Sequence, residues 1–185
     1  MKNDNRNFVF LKQDIFKLST IVFIVIALVS GGSIIFSREF LNAEFRIDNI
    51  YAMYATISEF LLMFVAVNLF GKEFHYKTIN MIRVSKRSHG EILVRKLLTM
   101  LVLSILVAIF AFVEVKLYAI IFSHNINTWE IARNLLIAYC MYGTFLFALA
   151  TPLVMMLKNT LSSFITVLVI VSFSPMILNI LSGNS

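Results

Sequence analysis

Five apolar runs, each long enough to cross a bilayer, constrain what this chain of 185 residues can become. A spanning helix needs about 20 mostly apolar residues. Runs at about 18–36, 51–70, 97–122, 131–157 and 160–181 reach that length. The expected fold is an all-α membrane protein, a single polytopic helical bundle over 1–185 with five transmembrane helices. Composition points the same way. The chain is 59% hydrophobic and 14% charged, with mean hydropathy +0.87. Soluble domains are about 45–50% apolar and about 25% charged. The first run is too long for a cleavable signal peptide, and no A-x-A-like site follows it.

The basic residues are unevenly placed, and their placement predicts sidedness. Short cytoplasmic loops carry an excess of Lys and Arg. The tail before the first run holds Lys2, Arg6, Lys12 and Lys17. The next loop has Arg38 and Arg46, offset by Glu39, Glu44 and Asp48. The segment from Gly71 to Lys96 holds seven of the sixteen basic residues. The loop 123–130 has none, and Lys158 marks the turn between the last two runs. The alternation predicts a cytoplasmic N-terminus and a cytoplasmic 71–96 segment, with the C-terminus outside. Trp129, Tyr118, Tyr51 and Tyr54 then fall near the outer interface, where aromatic residues are enriched. The net charge of +6 is accounted for by these loops, so no nucleic-acid partner is expected.

Between Phe8 and Leu18 apolar positions recur at helical spacing (Phe8, Leu11, Ile15, Leu18), with Lys12, Asp14 and Lys17 between them. This predicts an amphipathic helix lying in the inner interface. Pro152 and Pro175 fall inside the fourth and fifth runs and predict local kinks. Gly31-Gly32 permits close helix contact. Cys140 reads as a small buried apolar residue.

Signals for covalent chemistry are weak. There is no G-x-x-x-x-G-K-[ST] loop for nucleotide phosphates and no H-E-x-x-H. His75 and His89 share one loop, and His124 lies on the opposite side. Three charges fall within or beside the runs: Glu59, Glu114 and Lys116. An intramembrane ionisable residue suggests function by default. Lys116 lies twenty residues past Lys96, about 30 Å of helix at about 1.5 Å per residue. That depth places Glu114 and Lys116 near the outer surface, within reach of headgroups. Glu59 is deeper. It reads either as a buried carboxyl bonded to a neighbouring helix or as part of a translocation path.

The 71–96 segment has an internal order. Glu73 ends the second run and Thr78 follows. An amphipathic stretch, Ile79–Val84, precedes a basic turn of Ser85, Lys86, Arg87, Ser88 and His89. Gly90-Glu91 then leads to Lys96 at the start of the third run. This order resembles the permease subunits of ABC-2 type exporters. There a Glu ends the second span, a Gly-Thr follows, a short helix ends in a small-residue-plus-Arg turn, and a Lys opens the third span. Thr78 and Lys96 stand eighteen positions apart, as in that pattern. Two residues depart from it: Lys77 replaces the usual Gly and His89 the usual Arg. The opening FLKQDIFKL and the LKNTLSS turn also resemble the family's amphipathic first helix and inner hairpin. The family norm is six spans, one more than the five here.

The resemblance implies a function. The chain would be the permease subunit of an ATP-driven exporter in the bacterial cytoplasmic membrane, paired with a second permease copy or a homologue. Cytoplasmic ABC ATPase subunits would carry ATP and Mg, so this chain would hold no cofactor and would not itself be an enzyme. The coupling surface would comprise Thr78, Ile79, Ile82, Val84, Lys86, Arg87, Ser88 and His89, with Glu59 on the translocation path. Lys72, Arg95 and Lys96 read as membrane anchors that also meet anionic lipid headgroups. The implied cargo is peptide, as in bacteriocin, toxin or antimicrobial-peptide export and immunity, with lipid-linked or other amphipathic cargo as the alternative. A membrane-embedded enzyme and a non-transporting sensor or assembly partner are the rival readings.

Overall fold

The computed structural model describes residues 15, 17–42, 44, 47–75, 89–122 and 128–181. Five α-helices account for nearly all of them: α1 Leu18–Phe40, α2 Ile47–His75, α3 His89–Ile121, α4 Thr128–Leu157 and α5 Thr160–Leu181. Among the described residues there is no strand. Four of the helices contain a stretch long and apolar enough to cross a membrane: Leu18–Phe40, Ala52–Lys72, Gly90–Ile121 and Trp129–Leu157. The fifth runs for 22 residues, about 33 Å at about 1.5 Å each, with apolar side chains along Thr160–Pro175. The chain is a multi-pass, all-α membrane protein. Every expected run is a helix, and α1, α2, α3 and α4 each extend beyond the expected limits at one end or both.

Helix α2 is the centre of the bundle and touches each of the other four. Its positions Leu62, Ala66 and Leu69 are buried at helical spacing. They meet Met100, Leu103 and Val107 of α3 and Leu146, Ala150 and Val154 of α4 within one core. Ring contacts tie α2 outward: Phe64 lies 6.0 Å from Phe23 of α1 and 6.3 Å from Phe164 of α5, and Phe70 lies 5.8 Å from Phe147 of α4. Helix α1 is mostly exposed. Leu18, Val22, Val25 and Val29 present an apolar outer face suited to lipid.

Without a hydrophobic drive between helices in lipid, close association depends on small residues and hydrogen bonds. A Cβ at Gly143 of α4 would collide with the Ser104 hydroxyl and sit 3.2 Å from its Cβ, so α3 and α4 meet there almost backbone to side chain. Buried hydroxyls are satisfied by their own helices. Ser58, Ser104 and Thr151 each donate to the carbonyl four residues earlier, at 2.8, 3.0 and 2.6 Å.

One end of the bundle is basic. Lys17 and Lys72 line a common cleft, Lys96 reaches α2 at Leu69, and Gly71 abuts Thr160 beside the Lys158-Asn159 turn. In that turn Lys158 takes a left-handed φ of 52°. The Asn159 side chain accepts from the Leu161 N–H at 2.9 Å, the usual way an Asn starts a helix. The tight hairpin expected between the last two runs is therefore present. Of the expected amphipathic leading helix, the described part is Ile15, which is helical and buried, with Lys17 and Leu18; the rest lies outside the described residues. Both prolines sit inside their helices as expected.

The α3–α4 contact makes a direct prediction. Gly143→Val should destabilise the purified protein by about 1–3 kcal/mol through overpacking. Gly32 has nothing within 4 Å of a built Cβ, so Gly32→Ala should change stability by less than about 1 kcal/mol. Thermal unfolding in detergent measures both; equal effects would contradict the contact.

A candidate site between helices two, three and four

A cavity of about 280 Å³ opens between α2, α3 and α4. Helix α2 contributes Tyr54, Ala55 and Glu59, and α3 contributes Ala111, Glu114 and Val115. Helix α4 adds Leu135, Ala138, Tyr139 and Tyr142. Positions 55 and 59, 111 and 114 or 115, and 135, 138 or 139 and 142 stand three or four residues apart, so each helix presents one face. A small residue one turn from each polar group makes the space: Ala55 beside Glu59, Ala111 beside Glu114, Ala138 beside Tyr142. The cavity lies far from the basic end. Glu59 is thirteen residues from Lys72, about 20 Å along α2, and Glu114 is eighteen from Lys96, about 27 Å along α3.

The walls combine two carboxylates, three phenol rings and no basic side chain. The Tyr54 hydroxyl is fixed by donating to the Val107 carbonyl at 2.9 Å, linking α2 to α3. Tyr54 and Tyr139 meet edge to face at 6.5 Å. Glu114 leans on α1, where a Cβ added at Gly31 would lie 2.8 Å from its carboxyl carbon. Among the described residues, two buried side-chain polar atoms lack a hydrogen-bond partner, Glu114 Oε1 and the Tyr142 hydroxyl. Both residues line this cavity, but the Glu114 carboxylate itself lies against Gly31.

Glu59 is thus half-buried on a cavity wall. Glu114 departs from the sequence expectation. Its depth along α3 is as counted, but it points inward onto Gly31, whereas Lys116 is exposed and reaches outward past Phe112. Tyr54 and Tyr118, expected at an aromatic interface, are 2% and 1% exposed. Tyr118 donates to Glu39 at 2.7 Å, joining α3 to the end of α1. Trp129 does project, at 79% exposure. Cys140 is a free thiol and partly exposed, not fully buried. Tyr139 and Tyr142 were not singled out by sequence; the signal that could have found them is the AYxxY spacing at 138–142 on an otherwise apolar helix.

Of the expected coupling residues, Thr78, Ile79, Ile82, Val84, Lys86, Arg87 and Ser88 lie outside the described residues. His89 is the first residue of α3, so Gly90–Ile92 belong to that helix and not to a separate segment before it. The approaches to the segment are visible. Lys96, expected as a lipid anchor, is part-buried: its ammonium donates to the Leu69 carbonyl and lies 3.9 Å from the Phe70 ring centre. The end of α2 and the start of α3 are thereby pinned together. Arg95 pairs instead with Glu91 on the exposed face of α3, at 2.8 Å. At the same end, Lys17, Ser19, Thr20, Asn68 and Lys72 line a smaller cleft of about 110 Å³ between α1 and α2.

No group of three His, Cys, Asp or Glu converges as a metal set among the described residues. Comparison with protein-family models, curated proteins and solved structures gives no match. The fold and cavity define a polytopic helical membrane protein with an acidic, aromatic-walled chamber inside the bundle.

The Gly31–Glu114 contact can be measured as a pair. Gly31→Ala should cost about 1–3 kcal/mol of stability. With Glu114→Ala present, that cost should shrink, giving a coupling of about 0.5–3 kcal/mol in a double-mutant cycle. Strict additivity would show that the carboxylate does not rest on Gly31.

Proposed function

We propose that this chain is the permease subunit of an ATP-driven exporter of the ABC-2 type, moving peptides across the bacterial cytoplasmic membrane. The observation that carries the reading is the order within 71–96: Glu73, Thr78, the apolar–basic stretch through Lys86 and Arg87, and Lys96 at the head of α3. Its supports are the multi-pass helical fold, the gathering of Lys17, Lys72, Lys96 and Lys158 at one end of the bundle, and the Lys96 clamp. In this reading the basic end and the N-terminus are cytoplasmic, following the Lys and Arg bias. Lys17 and Lys72 would meet anionic headgroups there.

The mechanism follows from the connections. Cytoplasmic ATPase subunits dock on residues 78–89, the apolar Ile79, Ile82 and Val84 filling a cleft and Lys86 and Arg87 meeting an acidic rim. Closure of the ATPases pushes this segment. Because Lys96 ties α3 to Leu69 and Phe70, the push reaches α2 and α3 as one body. Helix α2 contacts all the others, so its tilt repacks the bundle around the chamber that holds Glu59. A second permease copy or a homologue completes the pathway.

Charge reversal of Lys86 and Arg87 should abolish stimulation of ATP hydrolysis by this chain, since like charges at a docking rim cost several kcal/mol. ATPase measured in nanodiscs with the partner subunit reads this out, and unchanged stimulation would remove both residues from the docking surface. Glu59→Gln should alter peptide transport into inverted vesicles severalfold while the complex still assembles. Transport equal to wild type would take Glu59 off the path.

A further inference from the structure

The smaller cleft at the basic end, between the start of α1 and the end of α2, contains a hydroxyl that the rest of the bundle leaves unused. Ser58, Thr99, Ser104, Thr151 and Ser163 are buried, and each donates to the carbonyl four residues earlier. Thr20 is equally buried and does not. It is the third residue of α1, so the carbonyl four residues back precedes the helix, and Lys17 between them is extended at φ −83° and ψ 148°. No hydrogen bond to another described residue replaces the missing one. The Thr20 hydroxyl is not sealed in as Glu114 Oε1 and the Tyr142 hydroxyl are, and the 3% of Thr20 left exposed opens on the cleft that it lines. Other donors gather around it. The first N–H groups of a helix have no partner inside the helix. In α1 no side chain caps them and no acidic residue stands in the first turn. Ser19 adds a hydroxyl, Asn68 an amide whose one N–H goes to Phe64, and Lys17 and Lys72 two ammonium groups. Among the described residues of the wall there is no acidic side chain.

We propose that this cleft is a binding site for a phosphomonoester group. Such a group carries a charge of about −1.5 to −2 at pH 7 and three strong acceptor oxygens. The start of a helix favours an anion through its free amides and its dipole. The three oxygens meet the first-turn amides, the Thr20 hydroxyl and the two ammonium groups. An ammonium has three N–H donors, so each lysine serves a phosphate while keeping another contact. The size agrees. About 110 Å³ is well below the about 300 Å³ at which small-molecule pockets begin, which leaves room for one phosphate with the rest of its molecule outside. Lys17 immediately precedes α1 and Lys72 closes the apolar stretch Ala52–Lys72, so the cleft opens at the membrane boundary, where lipid phosphates lie. A phosphodiester headgroup brings less charge and one oxygen fewer, and a zwitterionic one sets its own cation against two lysines. The site deepens the reading that this end of the bundle meets anionic headgroups. Diffuse attraction needs only basic residues, whereas this site needs Thr20. Binding is a property of this chain alone, so it can fail while the coupling to an ATPase stands, and the reverse.

Native mass spectrometry of the full chain in detergent, titrated with dioleoyl phosphatidic acid, tests the site. The first lipid should bind saturably, and about tenfold more tightly than dioleoyl phosphatidylglycerol. Thr20→Val removes the hydroxyl and keeps the shape. It should weaken this binding severalfold, because a hydrogen bond to a charged group is lost. It should leave the lipid-free unfolding temperature unchanged or raised, because the hydroxyl has no protein partner to lose. Lys72→Gln should weaken binding about tenfold. Lys158→Gln, at the same end but outside the cleft wall, should not. The proposal falls if binding does not saturate, or if phosphatidylglycerol binds as tightly as phosphatidic acid. It falls if Thr20→Val binds as wild type does or unfolds at a lower temperature without lipid. It falls also if Lys158→Gln costs as much as Lys72→Gln, which is the signature of diffuse charge. Glycerol 3-phosphate separates the two sources of the group. Phosphatidic acid retained against a large excess of it upholds the site with a lipid as the source. Displacement upholds the site with a soluble phosphomonoester as the source.

Discussion

The burial of α2 against all four other helices is the contact on which the rest of this bundle depends. Its apolar positions alone would let it slide, because lipid tails solvate Leu and Val as well as a neighbouring helix does. Register comes from the specific points along it. Tyr54 bonds Val107 toward one end, Phe64 meets rings of α1 and α5 in the middle, and toward the other end Leu69 receives Lys96 and Phe70 meets a ring of α4. A change in the tilt of α2 therefore alters several interfaces together. That is the property a mechanically driven membrane subunit needs.

The same helix links the two regions of interest. At the basic end it leads into the segment 76–88 and is fastened to α3 where that segment returns. About 20 Å away it presents Glu59 to the chamber. One continuous helix thus runs from the basic end to the chamber. The polar groups of the chamber are set on three different helices, so any relative tilt of those helices changes their spacing.

Much of the fold was legible because hydrocarbon leaves the backbone few choices. Run length predicted each helix, and Lys158-Asn159 predicted the hairpin. Glu59 drew notice because a carboxyl deep in an apolar run is costly, and it stands half-buried on a cavity wall. Glu114 was misread for a geometric reason. Counting residues from Lys96 gives depth along a helix but not the direction in which a side chain points. Two positions from Lys116, Glu114 faces a different way, onto Gly31. Depth counting likewise does not show that the rings of Tyr54 and Tyr118 turn into the bundle, where their hydroxyls find partners. Lys96 was taken for a headgroup anchor because nothing in a sequence shows that a carbonyl and a phenyl ring of another helix lie within its reach.

We propose that an ATPase drives this bundle through the basic segment between α2 and α3. It is tested most directly by co-expressing the full chain with an ABC ATPase encoded beside it, purifying through a tag on this chain, and measuring ATP hydrolysis in nanodiscs. A stable complex is expected, in which hydrolysis by the ATPase is stimulated over that of the ATPase alone. Failure of the two to co-purify, or hydrolysis unchanged by this chain, would contradict it.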